Sequence, residues 1–253
     1  MPTQLSVNLN KICLLRNSRG NDEPNLDRAA RICVAAGAHG LTLHPRPDRR
    51  HATFEDCQRL KAHEPDVELN LEGNPFAPPE DGYVGFVEMC RQLRPTQATL
   101  VPDARGQLTS NHGFDLAVDA HALRPIIAEL VAFGCRVSLF MDPEAHPSFA
   151  LARELGAERI ELYTGPYAAE VDAGRADLAL TRYADAARVA QSHGLGVNAG
   201  HDLNLDNLSL FASIPNLLEV SIGHALIGDA LYLGLEETVI RYLLELQRGN
   251  SCA

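Results

Sequence analysis

Nothing in the chain approaches the roughly 18 consecutive apolar residues that a membrane-spanning helix requires, although 45% of its 253 residues are hydrophobic. The opening residues, MPTQLSVNLN, lack a basic stretch followed by an apolar core, so no secretory signal is expected. Paired cysteine spacing is also missing. The six cysteines (Cys13, Cys33, Cys57, Cys90, Cys135 and Cys252) are scattered, which argues against a disulfide scaffold or a zinc site and fits a reduced, cytoplasmic protein. Basic charge is in short supply: 22 Lys and Arg against 33 Asp and Glu give a net charge of −11. A surface of that sign opposes non-specific binding to nucleic acid. No Pro- or Ser-rich linker divides the chain, and its 19 Gly and 15 Pro are spread along it, so residues 1–253 read as one domain.

Against this acidic background, Lys11, Arg16 and Arg19 fall in one short segment and Arg46, Arg49 and Arg50 in another. Both segments read as loops. A single such Arg is ordinarily a solvated turn residue, but two clusters at equivalent places in a repeating architecture point to a small anionic ligand.

Short apolar runs at 5–10, 40–44, 67–72, 98–102, 136–141, 159–163, 196–201 and 219–224 predict strands. Amphipathic stretches at 27–36, 54–62, 84–93, 120–133, 148–155, 178–192, near 205–213 and at 237–247 predict the helices between them. Gly37, Gly134, Gly156 and Gly194 stand where helices would stop. Eight strand–helix pairs in 253 residues match an α/β chain folded as a (β/α)8 TIM barrel with extra short helices. A doubly wound open sheet shares the alternation, but its early G-x-G-x-x-G turn is absent.

Strand phase sharpens this expectation. Val7 and Leu9 alternate with Ser6, Asn8 and Asn10; Leu41 and Leu43 with Thr42 and His44; Leu69 and Leu71 with Glu68, Asn70 and Glu72. Period two puts each set on one face. The helix-covered outside of a barrel must be apolar, so the polar sets point into the lumen, where branched apolar side chains are the norm. A lumen of Asn8, Asn10, His44, Asn70 and Glu72 is costly to desolvate, which favours polar ligands over a self-satisfied, hydrogen-bonded core.

Strand ends carry the chemistry. His44, Glu72, His201 and His224 end the second, third, seventh and eighth strands, and Glu161 and Tyr163 lie near the end of the sixth. Asp142 is the one further carboxylate read at a strand end. Catalytic groups of barrel enzymes converge at this face. Imidazole exchanges protons near neutral pH and a buried Glu can be raised toward it, so the set suits successive proton transfers on a carbonyl substrate. Gly200-His201 and Gly223-His224 stand where barrels bind phosphate on backbone N–H groups. Arg19, Arg46 and His51 would hold a second anion from the opposite rim. The polar segment 103–116, containing DARGQLTSNHG, is long for a strand–helix loop and reads as a lid. His44, Glu72, His201 and His224 are also possible divalent-metal ligands. With no H-E-x-x-H pair in the chain, proton transfer without a metal is the preferred reading.

Eight stretches together resemble the pyridoxine 5′-phosphate synthase family: SVNLNKICLLRNSRG (6–20), GLTLHPRPDRRHAT (40–53), LNLEG (69–73), ATLVPD (98–103), RVSLFMD (136–142), IELYTGPYA (160–168), VNAGHDLN (197–204) and IGHALIGDAL (222–231). The resemblance implies a cytoplasmic barrel enzyme of vitamin B6 biosynthesis, assembled as an octamer (a tetramer of dimers) and needing no metal or organic cofactor. Its two small phosphorylated substrates would be 1-deoxy-D-xylulose 5-phosphate and 3-amino-2-oxopropyl phosphate, joined to give pyridoxine 5′-phosphate, phosphate and water. It assigns His44 and Glu72 as proton acceptors, His201 as proton donor and Glu161 as a supporting lumen carboxylate. Arg46, His51 and Thr109 would contact the deoxyxylulose phosphate, and Asn8, Arg19, Gly223 and His224 the aminooxopropyl phosphate. Asn10 and Lys11 stand where many members have Asp-His, which keeps contact with the deoxyxylulose phosphate but alters its charge. Asp202 stands where many have Gly, and a carboxylate there is tolerable beside phosphate only if it points away.

Two other functions compete on residues alone. A barrel isomerase, epimerase or aldolase of one sugar phosphate, with or without a metal, would turn over a single substrate; a Schiff-base aldolase would need a strand-end lysine, for which Lys11 is the one candidate. A silent scaffold barrel would have no reason to desolvate His44 and Glu72 in a lumen.

Overall fold

The computed structural model describes residues 2–251; Cys252 lies outside the described residues, and the other five cysteines are free and buried. The first half runs β1 (Gln4–Asn8), α1 (Asn10–Asn17), α2 (Leu26–Ala35), β2 (Gly40–Leu43), α3 (Phe54–His63), β3 (Glu68–Gly73), α4 (Phe86–Leu93) and β4 (Gln97–Leu100). It continues through α5 (Leu116–Ala132), β5 (Arg136–Met141), α6 (His146–Leu155), β6 (Arg159–Tyr163), α7 (Gly165–Asp172) and α8 (Ala176–Ser192). The last elements are β7 (Gly196–Gly200), α9 (Leu208–Phe211), β8 (Leu217–Ile222), α10 (His224–Leu233) and α11 (Leu235–Asn250). The strands close in order from β1 to β8 and back to β1, β8 pairing parallel with β1 from Gln4↔Glu219 to Val7↔Ile222. This is the expected (β/α)8 barrel. None of the described helices is long and apolar enough to cross a membrane.

Strands β5 and β6 span the expected residues, while β2, β7 and β8 stop one or two residues early. His44, His201 and His224 therefore stand just beyond their strands, at the barrel mouth. The four helix-stop glycines all have positive φ. Three further helices, α1, α7 and α10, lie outside the segments read as helical and supply the extra helices expected of the barrel. The segment around Lys11 and Arg16, read as a loop, is α1. Arg16 is not a mouth cation, because its guanidinium turns inward and binds Asp56 at 2.6 and 2.8 Å. The second cluster, around Arg46, does lie in a loop.

The apolar strand set (Val7, Leu41, Leu43, Leu69 and Leu71) is buried against the helices, each side chain contributing about 1.5–3 kcal/mol of transfer free energy. The polar set faces inward, as period two requires, but its lower part satisfies itself. Ser6 and Thr42 hydroxyls meet at 2.7 Å, and the Thr99 hydroxyl donates to Asn70 Oδ1 at 2.9 Å. Below them Arg159 donates to Asn198 at 3.0 Å and to Glu219 at 3.2 Å. Burial pushes the Glu219 carboxyl up despite the Arg159 and Arg136 charges beside it. The hydrogen-bonded core set aside in favour of ligands is thus present in the lower lumen, and a ligand has room only above it. Asn10 departs from the strand pattern too: it begins α1, and its Oδ1 accepts from the His44 backbone N–H at 2.9 Å.

Helix α1 is clamped to α3 by one carboxylate. Asp56 binds Arg16 and also accepts from the Thr53 N–H at 2.9 Å, completing a capping box at the start of α3. Asp56→Ala strands the buried Arg16 charge and is expected to cost about 3–5 kcal/mol in urea unfolding; a loss under about 1 kcal/mol would mean the pair does not anchor α1.

Candidate active site

A cavity of about 420 Å³ opens at the C-terminal ends of the strands. Its floor is acidic. Glu72, at the end of β3, receives Asn8 Nδ2 and Ser221 Oγ, each at 3.4 Å. Glu161, on β6, is 4% exposed and its Oε2 has no hydrogen-bond partner. Gly200 makes room for it, since a Cβ there would collide with Glu161 Oε1. Burial first, then the Glu72 and Glu219 charges, push the Glu161 carboxyl well above the usual range, which favours its neutral form, the one able to donate a proton in a hydrogen bond.

His44 sits between two carboxylates, Nδ1 at 3.5 Å from Glu72 and Nε2 at 3.5 Å from Asp103. Asp103 also pairs with Arg46 at 2.5 Å. It is buried just after the end of β4, so Asp142 was not the one further carboxylate, as the strand-end reading had it. The long loop after β4 lies down over this wall. Arg46 Nη1 donates to the Gln107 carbonyl at 3.2 Å, and Arg50 Nη2 to the Gln107 and Leu108 carbonyls at 2.8 and 2.7 Å. Thr109 Oγ1 meets His201 Nε2 at 2.6 Å.

One rim is cationic. Lys11, on the first turn of α1, is half-buried, and burial followed by Arg50 and Arg46 lowers its ammonium from the ordinary value. His51 is 7% exposed with no partner on Nδ1. Burial, followed by Arg50, His44, Lys11 and Arg46, pushes it down to about 3. It is therefore a neutral imidazole that can donate to an anion. Across the cavity, Gly223 and His224 open α10, whose exposed first-turn N–H groups favour an anion. A Cβ on Gly223 would press on Asn8 at 3.1 Å.

The cavity wall thus unites Asn8, Asn10, Lys11, His44, Arg46 and His51 with Glu72, Thr109 and Glu161, and with His201, Asp202, Gly223 and His224. Arg19 is the exception: it is exposed in the turn after α1 and does not line the cavity. Ser221, Ser110 and Phe140 also line it and went unread in the sequence, because Ser and Phe on strands and loops carry no signal separable from packing. Among the described residues no three His, Cys, Asp or Glu side chains gather as a group that could hold a metal ion.

Such a mouth, with a cationic rim facing a helix N-terminus, belongs to a protein of the (β/α)8 barrel class. The chain belongs to the family described as pyridoxal phosphate biosynthesis protein PdxJ, whose model matches residues 5–248. It is 58% identical over 253 residues to a pyridoxine 5′-phosphate synthase of Xanthomonas oryzae pv. oryzae (strain PXO99A), covering 99% of this chain and 98% of that one. It is 56% identical over 251 residues to the enzyme of the same name from Xylella fastidiosa (strain M23), covering 98% and 96%. Among solved structures, a tryptophan synthase from M. tuberculosis superposes with a TM-score of 0.66 at 9% identity, covering 97% of this chain and 93% of that one. The 3-keto-L-gulonate-6-phosphate decarboxylase from Vibrio cholerae gives 0.62 at 11% identity, covering 98% and 99%. At those identities the likeness is one of fold.

His51 supplies a test of the mouth. The unfolded chain takes up a proton at the ordinary value of 6.5, while the folded group resists it down to about 3. Stability present above pH 6.5 is therefore lost as the pH falls through that window. Urea midpoints of the unaltered protein should fall more steeply from neutral to mildly acidic pH than those of His51→Gln; parallel curves would show that His51 is not held neutral.

Proposed function

We propose that this chain is a pyridoxine 5′-phosphate synthase, joining 1-deoxy-D-xylulose 5-phosphate and 3-amino-2-oxopropyl phosphate into pyridoxine 5′-phosphate with release of phosphate and water. The observation that carries the reading is one cavity with anion cradles on opposite rims and a chain of titratable groups between them. Two phosphorylated substrates need two such cradles. One substrate brings its own amine, so the imine forms without an enzyme lysine. Enolisation, dehydration, phosphate loss and ring closure then need repeated proton transfers. In this reading His44 and Glu72 accept protons, His201 donates, and neutral Glu161 stabilises developing negative charge by donating a hydrogen bond. Arg46, His51, Thr109, Asn10 and Lys11 hold the deoxyxylulose phosphate; Asn8, Gly223 and His224 hold the other. No metal or organic cofactor takes part.

The 103–116 segment acts as the lid, excluding water from enol and imine intermediates. Its fastenings to Arg46, Arg50 and His201 are bonds that an arriving phosphate would exchange. The whole chain acts as one domain, in the cytoplasm and as an octamer. An apolar groove between α1 and α10, flanked by Leu15 at 48% and Leu231 at 70% exposure, supports assembly. Arg19 follows Ser18, which lines that groove, and in this reading it reaches an anion in a neighbouring barrel rather than in its own.

Incubation with both substrates should develop the pyridine chromophore, unchanged by EDTA. Glu72→Gln and His201→Asn should each reduce it by about 10²-fold or more with circular dichroism unaltered. Normal turnover in either variant contradicts its role, and a chromophore that EDTA abolishes contradicts the metal-free mechanism.

A further inference from the structure

Asp202 is the residue whose presence the family resemblance does not explain. It follows His201 in the turn after β7, and both residues adopt the left-handed region, with φ of 86° for His201 and 57° for Asp202. Side chains with a Cβ avoid that region at some cost, which glycine escapes. The conformation is held from outside: the Asn207 side chain donates to the Asp202 carbonyl at 3.2 Å, and the buried Thr164 hydroxyl donates to the carbonyls of Gly200 and His201. So placed at the edge of the cavity, the Asp202 carboxylate meets His201 Nδ1 at 2.8 Å. The other ring nitrogen, Nε2, faces Thr109 Oγ1 at 2.6 Å, and the Tyr163 ring stands edge-on to the imidazole at 5.4 Å. A carboxylate, an imidazole and a hydroxyl are thus in line from the barrel rim to the cavity.

We infer that Asp202 is a positioning residue for His201: it fixes the ring with Nδ1–H bound to the carboxylate and Nε2 directed into the cavity, so that Nε2 is the atom that delivers the proton. This rests on the proposed synthase activity and deepens it. In the donating step the Nε2–H bond of the imidazolium breaks and the proton passes to the departing oxygen of the substrate. The ring is left neutral with Nδ1–H still bound to Asp202, which remains ionised throughout. A flexible Gly at this position would leave the ring to be oriented by Thr109 and Tyr163 alone. The same geometry accounts for a carboxylate being tolerated beside a phosphate cradle, since its charge is spent on His201.

The test is Asp202→Gly, which relieves the backbone and removes the carboxylate together. Expected are a thermal midpoint equal to or above that of the unaltered protein, kcat lower by about 10-fold or more, and KM for each substrate within about 2-fold. Asp202→Asn, which keeps an oxygen acceptor but not the charge, should fall between the two. Nitrogen-15 NMR should find neutral His201 protonated on Nδ1 in the unaltered protein and on Nε2 in Asp202→Gly. An unchanged tautomer, a kcat within about 2-fold of normal, or a raised KM with kcat retained would overturn the inference; the last would make Asp202 a substrate contact. If the unaltered protein makes no pyridine product, the synthase reading fails, and the NMR comparison still decides whether Asp202 orients His201.

Discussion

A closed parallel barrel sends every second strand residue into its lumen, and in this chain those residues are polar. Each must find a partner or remain costly. In the lower lumen Ser6, Thr42, Asn70 and Thr99 pair with one another, and Glu219 with Arg159. At the mouth Glu161 Oε2 and His51 Nδ1 are buried without partners. Below the cavity floor most lumen polar groups are satisfied, Ser138 Oγ being an exception. There the polar groups hold the barrel's shape, and above the floor they are available to a ligand.

The same boundary sorts charge. With a net charge of −11, the molecule repels phosphates at long range and must attract them locally. In the proposed reading it does so with Lys11, Arg46 and Arg50 on one rim and the α10 N-terminus on the other. Burial, reinforced by neighbouring charges of one sign, then favours the neutral forms of two groups, His51 among cations and Glu161 among carboxylates. Neutral donors next to fixed charges are what proton-transfer chemistry on anionic substrates requires.

Much of this was legible in the order of residues. Period-two alternation located the strands within a residue or two, glycines marked the helix stops, and His or Glu at strand ends marked the mouth. What escaped depended on contacts distant in sequence. Arg16 looks like a mouth cation until Asp56, in α3, draws it inward. Asn10 looks like the next lumen residue of β1, but the chain turns into α1 and spends its side chain on the His44 backbone. Asp103 lay beyond the end expected for its strand, and only contacts distant in sequence show that it meets His44 and Arg46. The self-paired lower lumen could not be separated from a ligand site, because both draw on the same Ser, Thr and Asn side chains. Arg19 matches the family motif, yet within one barrel it stays outside the cavity.

The claim on which the rest depends is that one cavity holds two phosphorylated molecules at once. Crystals grown with saturating inorganic phosphate would test it most directly. Two anions should appear in each mouth, one against Arg46 and His51 and one against the N–H groups that open α10 at His224. A single anion per barrel at saturation, or anions bound only outside the mouth, would contradict it.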